Sequence, residues 1–313
     1  MADTERSGAS PAPVVKGLDP AVLDGLASLD LVARTVVEGF RSGQHRSPHR
    51  GVSVEFDQHR EYVAGDELRH LDWKIFARSD RLVVKEYIEE SNLICHLLVD
   101  GSESMAFGSL EWSKFDYARW AAAALGHLVL RQRDSAGLVV FDEQERVKVP
   151  PGSGANQRVS ILQVLEEAQP TGPTNVGEVL GWLGGRLSRR GIVAIFSDFF
   201  DEPDSIAEGL RRLVHAGHEP ILFQVLDPQE LSFEYDRFLR LDGFEDSGRL
   251  KVDPKALREA YQEEIRAHQH ALEDTARSLS LDFVPLTTET GLEVSLSAYL
   301  ALRKARARGG RMA

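Results

Sequence analysis

From residue 93 onward, short continuous apolar runs alternate with longer stretches in which apolar residues recur every three or four positions. Runs of the first kind predict strands buried on both faces, and the second pattern predicts helices packed by one stripe. Leu93–Val99 is apolar apart from His96 and reads as the first such strand. A helix over about Ser113–Arg131 follows, then strands at Ala136–Phe141 and Arg146–Val149, and a helix over Gln157–Ala168. The pattern continues with a helix over Val176–Arg189, a strand at Ile192–Phe196, a helix over Ser205–Ala216 and a strand at Pro220–Leu226. Glu245–Gly248 has the composition of a hairpin turn. Leu257, Tyr261, Ile265, His268 and Leu272 then mark a long helix within Pro254–Leu279, and a strand at Leu281–Leu286 and a helix over Leu292–Ala305 complete the series. Strands alternating with helices predict an α/β fold with a doubly wound, mostly parallel sheet of the Rossmann-like type.

The first 92 residues break that alternation. Residues 1–16 are polar and rich in Ala, Ser and Pro, which predicts a disordered tail and no secretory signal. Pro20–Phe40 reads as an amphipathic helix, with Leu23, Leu26, Leu29, Leu31 and Val32 on its apolar side. Arg41–Gly51 is basic without one acid, and it could hold an anion or serve as a solvated loop or an internal ion-pair set. Gly51–Glu86 mixes charge with Phe56, Tyr62 and Trp73, a pattern that predicts a small β-rich segment. The expected organisation is a tail at 1–16, an N-terminal helix and β-rich segment at 17–92, the main α/β domain at 93–306 and a basic tail at 307–313.

The chemistry is concentrated where the first buried strand ends. Asp100, Ser102 and Ser104 follow it as Asp-Gly-Ser-Glu-Ser, and one carboxylate with two hydroxyls is a donor set for a hard cation such as Mg²⁺ or Mn²⁺. In an open α/β sheet ligands sit beyond the carboxyl ends of the strands, where the chain changes direction. Two further oxygens stand at later loops: Thr174 in Thr171–Asn175, and Asp198 after Ile192–Ser197. Taken singly, each is also an ordinary turn former or helix cap. Taken in order, Asp-x-Ser-x-Ser, then Thr, then Asp resembles the metal-ion-dependent adhesion site of von Willebrand factor A domains, as in integrin I domains. With Asp100 and Asp198 its only carboxylates, such a site neutralises a divalent ion and leaves a position open for a partner's carboxylate.

A second resemblance lies upstream. Val52-Ser53-Val54-Glu55-Phe56, Arg60-Glu61-Tyr62-Val63-Ala64-Gly65-Asp66, Arg69-His70-Leu71-Asp72-Trp73-Lys74 and Arg81-Leu82-Val83-Val84-Lys85-Glu86 resemble the hallmark phrases of the bacterial family called domain of unknown function 58. Asp282–Thr288 and Ala298–Leu300 are similar to its tail, so the likeness covers roughly residues 40–305. It implies a β-rich segment joined to a von Willebrand factor A domain, in proteins often encoded beside MoxR-type AAA+ ATPases and thought to assist assembly or metal insertion in others. The expected partner is therefore such an ATPase, its client protein, or both, engaged through the metal face. Many relatives carry membrane helices before this region, and none is expected here.

Composition narrows the remaining classes. Among 313 residues, 49 acidic against 37 basic side chains give a net charge of −12, which disfavours nucleic acid as a partner. The single cysteine, Cys95, lies in an apolar strand and reads as a buried hydrophobe. No apolar stretch approaches the roughly 20 residues needed to cross a bilayer, so a cytoplasmic protein without membrane insertion is expected. A phosphatase of the haloacid dehalogenase type would want an Asp where Ser102 stands. No nucleophile elbow surrounds residues 100–110, no Walker A sequence occurs, and Gly152-Ser153-Gly154 reads as a plain turn. A non-catalytic, metal-dependent adaptor is thus the leading expectation. A metal-dependent hydrolase and an anion- or nucleic-acid-binding protein acting through residues 41–50 are the alternatives.

Overall fold

The computed structural model describes residues 29–30, 33–34, 36–37, 56–62, 72–79, 81–87, 93–173, 175–187, 189–235, 239–242, 249–252, 254–296 and 298–299. The larger of two compact units is built on a six-stranded sheet. Its strands are β3 (Ile94–Asp100), β4 (Ser135–Phe141), β5 (Glu145–Gly152), β6 (Ile192–Ser197), β7 (Glu219–Leu226) and β10 (Asp282–Thr287), in the order β10-β7-β6-β3-β4-β5. All neighbours pair in parallel except β5, which runs antiparallel to β4 along one edge. The chain starts at central β3, winds outward through β4 and β5, and then crosses to β6 on the other side. That reversal creates a topological switch point between β3 and β6.

The apolar runs form these strands because both sheet faces are covered. All of β3 is buried, and β4, β6 and β7 are buried apart from their first residues. One face packs on α2 (Lys114–Arg131), whose Phe115, Tyr117, Trp120, Ala121 and Ala124 meet Leu97, Val99 and Phe196, with Phe196 stacked on Phe223 at 4.7 Å. Helical residues 29–30, 33–34 and 36–37 join this side through Leu29, Ala33 and Val36; Asp30 pairs with Arg158 of α3 (Gly154–Glu167). The opposite face is covered by α4 (Val176–Leu183) and α5 (Pro203–His215), with Leu272 of α7 (Pro254–Ser278). Here two glycines let helices touch: a Cβ at Gly177 would meet Ser205 of α5, and one at Gly209 would meet the Gly177 carbonyl.

Two expectations need correction. The helix opening at Val176 ends at Leu183, not Arg189; Gly184, still right-handed, donates its amide to the Leu180 carbonyl, and the chain goes on in turns before β6. Residues 46–92 form the second compact unit, in which β1 (Phe56–Glu61) pairs antiparallel with β2 (Val83–Tyr87). Between them Trp73–Ser79 is a helix, α1, where strands were expected. Asp72 starts it by accepting the Ile75 amide, and Trp73 packs edge-on against Phe76.

β8 (Leu239–Asp242) and β9 (Arg249–Val252) pair antiparallel as the hairpin reading requires, and the turn at 245–248 lies outside the described residues. So do the basic stretch 41–50 and the tails at 1–16 and 307–313. Among the described residues no helix is long and apolar enough to cross a membrane.

Candidate functional site

At the switch point the registers of β3 with β6 bring Val99 opposite Phe196, so the two strands end level. Asp100 and Ser197 are next along each strand, and Asp198 follows. The Ser197 hydroxyl donates to Asp100 Oδ2 at 2.5 Å and accepts from the Phe199 amide at 2.8 Å, locking the two loops together. Asp100 Oδ1 accepts the Ser102 amide at 2.9 Å, which curls the chain so that the Ser102 and Ser104 hydroxyls meet at 3.1 Å. Asp100, Ser102 and Asp198 are fully buried, and Ser104 is half-buried at the rim.

Backbone bonds bring in the next loop. Glu103 donates to the Gly172 carbonyl and Thr171 to the Gly101 carbonyl, each at 2.8 Å, while Arg146 spans the Gly101 and Gln169 carbonyls. Thr174 itself lies outside the described residues, but the loop carrying it is tied to the Asp-x-Ser-x-Ser turn on this side. Of the five expected ligands, the structure thus assembles Asp100, Ser102 and Ser104, with Asp198 beside them.

Asp198 has a partner that the sequence reading missed. Lys114, at the first turn of α2, reaches across with its ammonium 2.7 Å from Asp198 Oδ2 and 2.6 Å from Glu230 Oε1. Its side chain is fully buried and lies 4.8 Å from the Phe200 ring centre and 6.0 Å from that of Phe107. Burial works against the Lys114 charge, yet the two carboxylates outweigh it and hold the pKa above the ordinary lysine value. Burial pushes the Glu230 carboxyl up in spite of Lys114. A clue was present in the sequence: a lysine in the first turn of a helix opposes the macrodipole and needs a specific reason to be there.

Glu230 belongs to α6 (Pro228–Ser232), a short helix with a capping box formed by Asp227 and Glu230. Its cap, Asp227, accepts the Ser109 amide at 2.8 Å and the Ser109 hydroxyl at 2.6 Å, and Trp112 donates to the Thr288 carbonyl at 3.0 Å. At the end of β6, Phe199 takes a left-handed conformation (φ 59) with its ring fully buried. Next to that turn both Asp198, by its Oδ2, and the Phe200 ring reach the Lys114 ammonium.

The electrostatics of Asp100 differ from those of Asp198. Among the described residues no ammonium bonds it, and its pKa is pushed from 3.8 up to about 7, by burial first and the Asp198 charge second, against the bonds from Ser197 and Ser102. A buried carboxylate next to two hydroxyls, with lone pairs left on each oxygen, suits a hard divalent cation. Among the described residues no three His, Cys, Asp or Glu side chains cluster to hold a metal, so a site here depends on the serine hydroxyls. Those two hydroxyls also bond each other, at the mouth of the turn.

Comparison with known proteins gives the chain its relatives. The chain is 28% identical over 299 residues to uncharacterized protein Rv1480 of Mycobacterium tuberculosis, covering 93% of both chains, and equally similar to uncharacterized protein Mb1516 of Mycobacterium bovis. Among solved structures it is similar to the conserved hypothetical protein BatB of Bacteroides thetaiotaomicron, with 16% identity, TM-score 0.44, and coverage of 67% of this chain and 97% of that one. It is also similar to the SpRpn10 VWA domain, with 12% identity, TM-score 0.40, and coverage of 65% and 93%. Residues 58–271 match the family model described as protein of unknown function DUF58, and the chain belongs to that family.

Proposed function

We propose that the protein is a non-catalytic, divalent-metal-dependent adaptor that binds a protein partner at the strand-end face. The observation that carries this reading is the convergence of Asp100, Ser102 and Ser104, with Asp198 beside them, at the switch point of the sheet. When bound, Mg²⁺ or Mn²⁺ supplies a coordination position that a carboxylate from the partner fills. The chain's own residues do the rest. Asp100 carries the charge that holds the ion, Ser102 and Ser104 orient it as neutral donors, and Ser197 fixes the Asp100 carboxylate. Phe107 and Phe200 stand half-buried beside the pair formed by Lys114 and Asp198 and offer the partner an apolar rim. Thr174 is the fifth ligand in this proposal.

The partner in this reading is a MoxR-type AAA+ ATPase or its client in the cytoplasm, where ATP is available. The ATPase is expected from the family, and the metal chemistry from the site. Calorimetry with Mn²⁺ should give a binding heat on the full chain that Asp100→Ala loses. Binding to the ATPase encoded nearest to this chain's gene, measured with and without EDTA, should fall on chelation and with Asp198→Ala. Equal ATPase binding in all four conditions would overturn the metal-face reading, and turnover of phosphoesters by the pure protein would turn it toward a hydrolase.

A further inference from the structure

Lys114 is out of place for a metal site. A bare cation site is built from anions and neutral oxygens, whereas here a fully buried ammonium already occupies one oxygen of Asp198 at 2.7 Å. It is not a surface ion pair. Phe200 and Phe107 close over it, and neither side chain of the Lys114–Asp198 pair is exposed, so water and salt screen its charge little. Glu230 takes a second hydrogen bond from the same ammonium, and is itself anchored by the Asp227 amide at 2.9 Å. Asp100 is held differently: among the described residues its carboxylate is bonded by the Ser197 hydroxyl and the Ser102 amide.

We infer that Lys114 is a built-in cation competing with the divalent metal for Asp198, and that Glu230 offsets it, so the two residues set metal affinity in opposite directions. The inference rests on the metal-binding reading of Asp100, Ser102 and Ser104. With all four groups ionised, three carboxylates and one ammonium leave two net negative charges for a divalent ion to neutralise. Replacing Lys114 by methionine, of similar length and no charge, leaves three. Replacing Glu230 by glutamine leaves one, while the amide can still meet the Asp227 N–H. Removing both restores two. Lys114 thereby keeps the charge cluster partly neutral before any ion arrives, so that tight occupancy calls for the extra carboxylate that a partner brings.

Mn²⁺ titration of the full-length protein, with folding of each variant checked by circular dichroism, tests this. A unit charge within roughly one side-chain length of a divalent ion in a dry site changes affinity by about tenfold or more. Lys114→Met should therefore tighten Mn²⁺ binding by at least that factor, Glu230→Gln should weaken it similarly, and the double variant should return near the wild type. A purely structural role predicts another pattern, because both single changes loosen the same buried network and both would weaken binding. Should Lys114→Met fail to fold, Glu230→Gln and the double variant still decide. Glu230→Gln binding as tightly as the wild type, or a double variant no tighter than Glu230→Gln, overturns the inference. The reading beneath it fails separately, by a wild-type heat that is absent or that survives in Asp100→Ala.

Discussion

Replacing Asp100 by asparagine separates what this residue does for metal from what it does to the fold. In the metal-free protein its carboxyl is fully buried and its pKa is raised from 3.8 to about 7. The folded chain then keeps a proton over a range in which the unfolded chain releases it. Stability contributed by this group is present below about pH 4 and is lost as pH rises through about 7. A displacement of that size corresponds to the order of 4 kcal/mol at alkaline pH. Asparagine carries no charge to bury. Its carbonyl can accept the Ser102 amide as Oδ1 does, and its NH₂ group faces the Ser197 hydroxyl, for a loss of about 1 kcal/mol of hydrogen bonding. Asp100→Asn should thus be more stable than the wild type by about 2–3 kcal/mol near pH 8 in EDTA, with the gap closing near pH 5. Urea unfolding of the two proteins side by side reads this, because titration of other groups cancels in the difference. Added Mn²⁺ should stabilise the wild type and leave the variant unmoved. A variant equal to or weaker than the wild type near pH 8 in EDTA would refute the reasoning, since it would show Asp100 to be compensated in the folded state.

Two further expectations concern the scaffold. A Cβ at Gly177 would lie 2.5 Å from the Ser205 carbonyl carbon, so Gly177→Ala must push α4 from α5 and should cost about 1–3 kcal/mol, read as a lowered urea midpoint at unchanged slope. His96 and His218 are buried with ring centres 5.8 Å apart, and burial holds both below the ordinary histidine pKa of 6.5. Below about pH 6.5 the unfolded chain therefore takes up protons that the fold resists, and stability falls with acid. His96→Gln, which keeps a donor for the Arg189 carbonyl, should reduce that acid loss, and an unchanged loss would show that the pair does not carry it.

Strands β3, β4, β6 and β7 were legible because a strand covered on both faces must be apolar at every position, and local order then follows from the alternation with helices. Asp100, Ser102 and Ser104 were legible for a related reason: their convergence is set by one turn of chain, and Asp198 by the rule that strand ends of an open sheet line a crevice. α1 was not, since seven residues of mixed charge and aromatics fit either period, and the Asp72 cap decides only once the chain has turned. The end of α4 escaped because no local signal marks it: Gly184 keeps a right-handed helical conformation, and its backbone lies close to that of Arg212 in α5. Lys114 left a hint in its first-turn position, but its pairing with Asp198 and Glu230, and that of Ser197 with Asp100, was beyond the sequence. Lys114 and Glu230 are 116 positions apart, on helices that meet only after β6 and β7 have laid their loops across the top of the sheet. Sequence determined which oxygens stand at the strand ends, because that is local geometry. Tertiary structure alone decided which of them a buried ammonium already holds, because the pairing of charges in a dry interior depends on the whole fold bringing them within a hydrogen bond.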